Sequence, residues 1–309
     1  VTRSGRGTGI AAVLFASVVW GTTGTAATFA PQVGAAAIGA AAMGLGGLMQ
    51  ALYAWRGIRR HRTALRGQMW LLVLGGIAVA VYPLAFYGSM RLAGVTVGTV
   101  VTIGSAPLLS ALIESLIDRA RLSARWLLGA ATGLIGMALL CLAKDGIPAG
   151  SGDAQGAIPG VLLGLLGGLT YALYSWTARS VMLRGVRSDI AMGATFGIGA
   201  TLLLPVLIAT GGPFLTSWGN AAVGIYMAAV PMFLGYLAFG YGLARVPAST
   251  ATTLSLIEPV VAAVLAVLVV GERLTATGWL GVALIVSCLA VIALPVPATR
   301  QGPRARMRG

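Results

Sequence analysis

Charge is what this chain has least of. Only 9% of its 309 residues are Asp, Glu, Lys or Arg, while 58% are hydrophobic and the mean hydropathy is +0.91. A soluble domain carries about 25% charged residues, so the shortage rules out a water-facing shell and leaves lipid as the solvent of most side chains. Histidine occurs once, as His61, and lysine once, as Lys144. A Ser–His protease inside the membrane would therefore have no base. Lys144 lies in no GxxxxGK[ST] sequence, which excludes a P-loop pump. Cys141 and Cys288 stand singly in apolar stretches, with no CxxC partner for redox or zinc chemistry. No group of His, Cys and carboxylates has metal-ligand spacing. The expectation is a chain that is no enzyme, has no catalytic residues and takes no metal or cofactor.

What is present is apolar length. Ten runs of roughly 18 or more apolar residues lie near 9–29, 35–55, 69–89, 95–117, 126–143, 160–180, 190–210, 222–242, 249–270 and 277–294. Each is long enough to cross a hydrocarbon core of about 30 Å as a helix. The first follows Arg3 and Arg6 as a signal peptide would, but its counterpart beginning at Gly160 is internal, so a retained span is expected.

The net charge of +14 resides in the short connectors rather than along one soluble face, so no nucleic-acid partner is expected. With connectors numbered alternately, eighteen basic residues fall on one side, including Arg56 to Arg66, Arg119 to Arg125, Arg179 to Arg187 and Arg245. Only Arg91, Lys144 and Arg273 fall on the other. The positive-inside rule puts both termini in the cytoplasm, with the basic connectors resting on anionic lipid headgroups. Pairs of glycines four apart, such as Gly160 and Gly164 or Gly129 and Gly133, are expected to let helix backbones approach closely.

The halves of the chain repeat. Pro107 and Pro259 are 152 residues apart, each within a long apolar run, and the same offset lays Arg121-Leu122-Ser123 on Arg273-Leu274-Thr275 and Gly129 on Gly281. Each half holds five spans. An odd number forces the second copy to sit upside down relative to the first, and inverted repeats with helix breaks at matching places mark secondary transporters. The expected division is a first five-helix unit at 1–143, an external linker at 144–159, an inverted second unit at 160–294 and a basic cytoplasmic tail at 295–309.

Few polar groups lie at membrane depth. Glu258 falls mid-span, where a charge costs at least about 2.5–3.5 kcal/mol. It is readable as a substrate or proton site, as a protonated clamp on backbone carbonyls, or as a neutral bystander. Pro259 would free the carbonyl of Ser255, and Pro107 that of Ile103, for such a clamp. Glu114, near Arg119 and Arg121, reads as interfacial. Trp20, Tyr82, Tyr171 and Tyr236 lie nearer mid-span than anchoring aromatics do and are expected to line a common cavity. Tyr87, Tyr174, Trp176 and Tyr241 are left open between lining and anchor.

The run Ile257-Glu258-Pro259-Val260, followed by Gly271-Glu272-Arg273-Leu274-Thr275 and Gly281, resembles the EamA-type drug/metabolite transporter family. Its degenerate partner, Ala106-Pro107 through Arg121-Leu122-Ser123 and Gly129, and the early Trp20-Gly21 fit as well. The resemblance implies an all-α membrane protein of ten transmembrane helices, in two inverted five-helix repeats around a central cavity. The first, third and fourth helices of each repeat would line that cavity. It also implies export of small metabolites, often amino acids, from the bacterial cytoplasm. Within the family the chain is most similar to YddG-type aromatic amino acid exporters, although Ala106 stands where the family carries an acid before the first proline. The expected function is inner-membrane export of amino acids or similar metabolites by alternating access, with Pro107 and Pro259 as hinges. Proton-coupled efflux of cationic drugs through Glu258 is the alternative within the class, and a non-transporting scaffold or sensor the alternative outside it.

Overall fold

A computed structural model of the chain describes residues 3–145, 154–270 and 273–293. Residues 146–153 of the linker, the Gly271-Glu272 pair and the 295–309 tail lie outside the described residues. Every regular element among those described is helical. In the first half these are α1 (Arg3–Gly21), α2 (Thr23–Ala27), α3 (Ala35–Arg60), α4 (Arg62–Arg66), α5 (Met69–Ala93), α6 (Val95–Ile117) and α7 (Ala124–Asp145). In the second they are α8 (Ala154–Leu183), α9 (Ser188–Thr210), α10 (Trp218–Met227), α11 (Tyr236–Leu243), α12 (Ala248–Leu254), α13 (Ile257–Leu265) and α14 (Ala276–Ala293). Wider π-helical turns over Ala228–Gly235 and Ala266–Val270 extend α10 and α13. Nine described stretches are long and apolar enough to span a membrane, and Ala124–Leu140 in α7 is a shorter apolar tenth. The protein is all-α and multi-pass, on nearly the spans its hydropathy gives.

The bundle is inside out relative to a soluble one. Leu116, Leu128 and Ile208 are exposed, whereas Ser17, Ser110, Thr252 and Ser255 are fully buried. Lipid is as apolar as leucine, so leucines gain little by facing inward, while hydroxyls inside find carbonyls to bond. Small residues hold antiparallel helices together. Gly160 and Gly164 of α8 meet Ala93 and Ser89 of α5, and the Ser89 hydroxyl donates to the Gly160 carbonyl at 2.7 Å. Gly136 of α7 crosses Gly281 of α14 backbone to backbone, and Gly47 of α3 rests on the Phe196 carbonyl of α9. One residue turns α5 into α6: Gly94, at φ +85°, a conformation that disfavours any side chain.

These contacts place most of the arginines at one end. The connectors holding Arg56 to Arg66, Arg119 to Arg125, Arg184 to Arg187 and Arg245 gather there, while Arg91 lies at the end that leads to the linker. The two halves pair by exchange: α5 with α8 matches α11 with α1. The match is incomplete, because α8 packs closely along both α5 and α6, whereas α1 packs less extensively on α11 and α13. That difference opens the molecule at the linker end.

The expected pair of matched kinks is not what the chain forms. Pro107 sits inside an uninterrupted α6, whereas its repeat mate Pro259 follows a true break at Ser255–Leu256. Pro259 falls in the first turn of α13, where a missing N–H costs nothing. The Ser255 carbonyl is also not freed for a clamp, since it accepts the Glu258 N–H at 2.9 Å. A second break, at Thr22, divides α1 from α2.

Candidate functional site

The two breaks cross at the centre of the bundle. Gly21, the last residue of α1, lies against the Glu258 carbonyl so closely that a Cβ would come within 2.8 Å of it. Glycine at this point lets the broken first and ninth spans touch through backbone. Glu258, just after its break, turns its side chain into a central pocket that Trp20, Tyr82, Tyr171 and Tyr236 also line. Tyr87 and Tyr174, left open by the sequence, line it too. Trp176 and Tyr241 do not: Trp176 donates its indole N–H to Asp118 at 3.0 Å near the arginine-rich end, and Tyr241 lies under the Arg245 guanidinium.

The aromatics form a fixed floor. The π-helical turn around Pro231 leaves backbone carbonyls available, and the Trp20 indole donates to that of Pro231 at 2.9 Å. The buried Gln50 amide donates to the next, Met232, at 3.1 Å. Trp20 lies 4.7 Å from Tyr236, and Tyr171 stacks on Tyr174 at 5.2 Å. The hydroxyls of Tyr174 and Tyr236 bond each other at 2.9 Å, and Tyr171 donates to the Ser255 hydroxyl at 3.0 Å. With their polar tips engaged, Trp20, Tyr171 and Tyr236 present rings to the pocket. Tyr82 and Tyr87 are half-buried, stand at the wall with Phe86, and make no hydrogen bond to a described residue.

From this floor the pocket widens into a cavity of about 520 Å³. Thr23 and Ala27 of α2, Met90 of α5, Thr99 of α6 and Pro259 of α13 line it. All of these walls lead to the linker end. The lining is not confined to the first, third and fourth helices of each repeat: α3 contributes Ala42 and Gly39, and the lack of a side chain at Gly39 leaves room for the Tyr87 ring. Among the described lining residues Glu258 is the one charged side chain. No described residue donates to or accepts from its carboxyl, so the clamp, one of the three readings of Glu258, has no counterpart among the described contacts. Its neighbour Pro259 lines the outer cavity, whereas Pro107 lines neither part.

The other end is shut. The sequence reading of Glu114 as interfacial is corrected here: it is 5% exposed and accepts the backbone N–H of Ala248 at 2.6 Å. Its proximity in sequence to Arg119 and Arg121 pointed to the surface, but the last turns of α6 face α12, a helix 134 residues away. The one available signal was a carboxylate in a span with no basic residue one turn before it. Arg179 adds a bond to the Val246 carbonyl at 2.8 Å.

The duplicated architecture has a counterpart in a known family. The EamA-like transporter family model matches residues 7–142 and again 158–294. The chain belongs to that family. EamA members are transporters and not enzymes. The uncharacterized transporter YwfM of Bacillus subtilis is 31% identical over 91% of this chain and 92% of its own. The threonine/homoserine exporter RhtA of Salmonella typhimurium is 28% identical over about half of each chain, 50% and 49%. A solved crystal structure shares the fold with a TM-score of 0.73 at 22% identity, over 94% of this chain and 96% of the other.

Proposed function

We propose that this EamA protein exports amino acids or similar small metabolites across the bacterial inner membrane by alternating access. On this reading the arginine-rich end and both termini face the cytoplasm, and the linker faces outside. The observation that carries it is the central cavity: open at one end, sealed at the other, walled by aromatic rings and holding a single carboxyl. Such a lining suits a small molecule with an ammonium group, which the ring faces attract, and with an apolar or aromatic body. The exporter RhtA, as a partial relative, supports the amino acid class. Trp20, Tyr82, Tyr171, Tyr236 and Glu258 are the proposed substrate contacts. Pro259 and its repeat mate Pro107 are the proposed hinges, although they differ in how far each interrupts its helix. Counterflow in proteoliposomes, competed by amino acids, nucleotide sugars and lipophilic cations in turn, tests the proposal. Competition by amino acids is expected, and competition by lipophilic cations alone overturns it.

Proton-coupled efflux is a second reading, favoured by a Glu258 carboxyl that faces the cavity with no partner among the described residues. Glu258→Gln keeps shape and removes titration. If the wild type accumulates substrate on an imposed pH gradient and the variant loses only that response, Glu258 carries the proton. Flux indifferent to the gradient in both forms assigns Glu258 to substrate contact alone.

A further inference from the structure

The seal at the arginine-rich end centres on one side chain and one helix start. The first N–H groups of α12 have no partner within their own helix, and Pro247, which precedes them, has no side chain that could cap them. Glu114 supplies the cap from α6. Its carboxylate accepts the Ala248 N–H at 2.6 Å, the Ser249 N–H at 3.4 Å and the Ser249 hydroxyl. One turn deeper Thr252 donates to the Ser110 hydroxyl of α6 at 3.2 Å. The Tyr171–Ser255 bond then reaches the cavity floor. Residues 248–255 are all buried, and five of the eight bear hydroxyls that bond mainly to carbonyls of their own turns. A hydroxyl-rich stripe thus runs between the carboxyl at the seal and the carboxyl in the cavity.

The repeat puts no second copy of this carboxyl at the opposite end. The repeat offset of 152 puts Ala266 in the place of Glu114, Ala262 in that of Ser110, and Thr96, Val97 and Val100 in those of Ala248, Ser249 and Thr252. The start of α6 follows Gly94 and carries no side-chain cap. When the molecule inverts, three hydrogen bonds to a carboxylate are broken at the arginine-rich end, and the repeat puts no carboxyl in the matching place at the other.

We propose that Glu114 is the gating residue of transport. It latches α12 to α6 and so rests the protein open at the linker end. Its release bares Ser110, Ser249 and Thr252 as the wall of the half-channel through which substrate enters. The proposal rests on alternating access.

The test uses a background with Cys141 and Cys288 replaced by alanine and a single reporter, Ser110→Cys at the seal or Thr99→Cys in the open cavity. Each is reacted with a membrane-impermeant maleimide from its own side. Glu114→Ala is expected to raise Ser110→Cys labelling at least about tenfold, equivalent to about 1.4 kcal/mol, and to lower Thr99→Cys labelling. Glu114→Gln, uncharged but still an acceptor, should fall between. Unchanged Ser110→Cys labelling overturns the latch. A rise at both reporters also overturns it, since that is a loosened fold rather than an exchanged gate. Failure of both Glu114 variants to insert would make the residue a folding determinant and overturn it equally. The common amino acids serve as flux probe in the otherwise wild-type reporters. If Ser110→Cys never reacts while flux proceeds, alternating access itself fails. Reactivity during flux that ignores Glu114 defeats only the latch.

Discussion

Two tyrosines on the same cavity wall differ in what their hydroxyls do. Tyr171 is buried and spends its hydroxyl on Ser255, whereas Tyr82 is half-buried and makes no hydrogen bond to a described residue. Removing a satisfied buried bond costs about 0.5–1.5 kcal/mol, so Tyr171→Phe should lower the thermal midpoint of the detergent-solubilised protein. Tyr82→Phe should leave the midpoint in place and weaken substrate affinity, read as a raised KM for counterflow. Equal effects of the two on stability would show that the hydroxyl of Tyr82 is structural as well. Wild-type export across a range of amino acids by Tyr82→Leu and Tyr171→Leu would remove both from the cavity's working surface. At this scale the sequence pointed to mid-span aromatics as a type, because a phenol in lipid needs a partner. It did not separate Tyr174 from Trp176, since two residues along one helix face different neighbours and only the packing decides which.

Helix pairs are held by what they lack. A Cβ on Gly136 would meet the Gly281 carbonyl at 2.7 Å, and one on Gly281 would meet the Gly136 carbonyl at 2.5 Å. Backbone cannot swing aside as a flexible side chain does. Overpacking of this kind costs about 1–3 kcal/mol or more, so Gly136→Val should destabilise the α7–α14 pair and lower the thermal midpoint. Gly7→Ala is the control: α1 offers open space there, and alanine is the better helix former by up to about 1 kcal/mol. A midpoint unaffected by Gly136→Val would mean that α7 and α14 do not cross at these glycines. The prolines teach the same lesson from the other direction. Pro107 and Pro259 occupy equivalent places in the repeat, yet one is absorbed within α6 and the other begins α13. A proline removes an intrahelical bond only beyond the first turn, and there whether the helix breaks depends on what neighbouring elements offer the freed groups.

For the molecule as a whole, the arginine asymmetry fixes an expected orientation that labelling can check. In a background without Cys141 and Cys288, Ser151→Cys should react with an impermeant maleimide in intact cells, and Thr63→Cys only after the cytoplasmic face is exposed. The reverse pattern would invert the direction proposed for export. The sequence by itself determined the solvent, the number and place of the spans and the repeat. Those follow from local composition summed over some twenty residues, which lipid reads without reference to the rest of the chain. The tertiary structure decided which end of the cavity is open, that Glu258 faces it with no partner among the described residues, and that Glu114 lies at a helix start 134 residues away. Two inverted halves related by pseudo-symmetry permit closure at either end. The choice between them rests on a few contacts between distant segments, whose energies no local stretch of sequence contains.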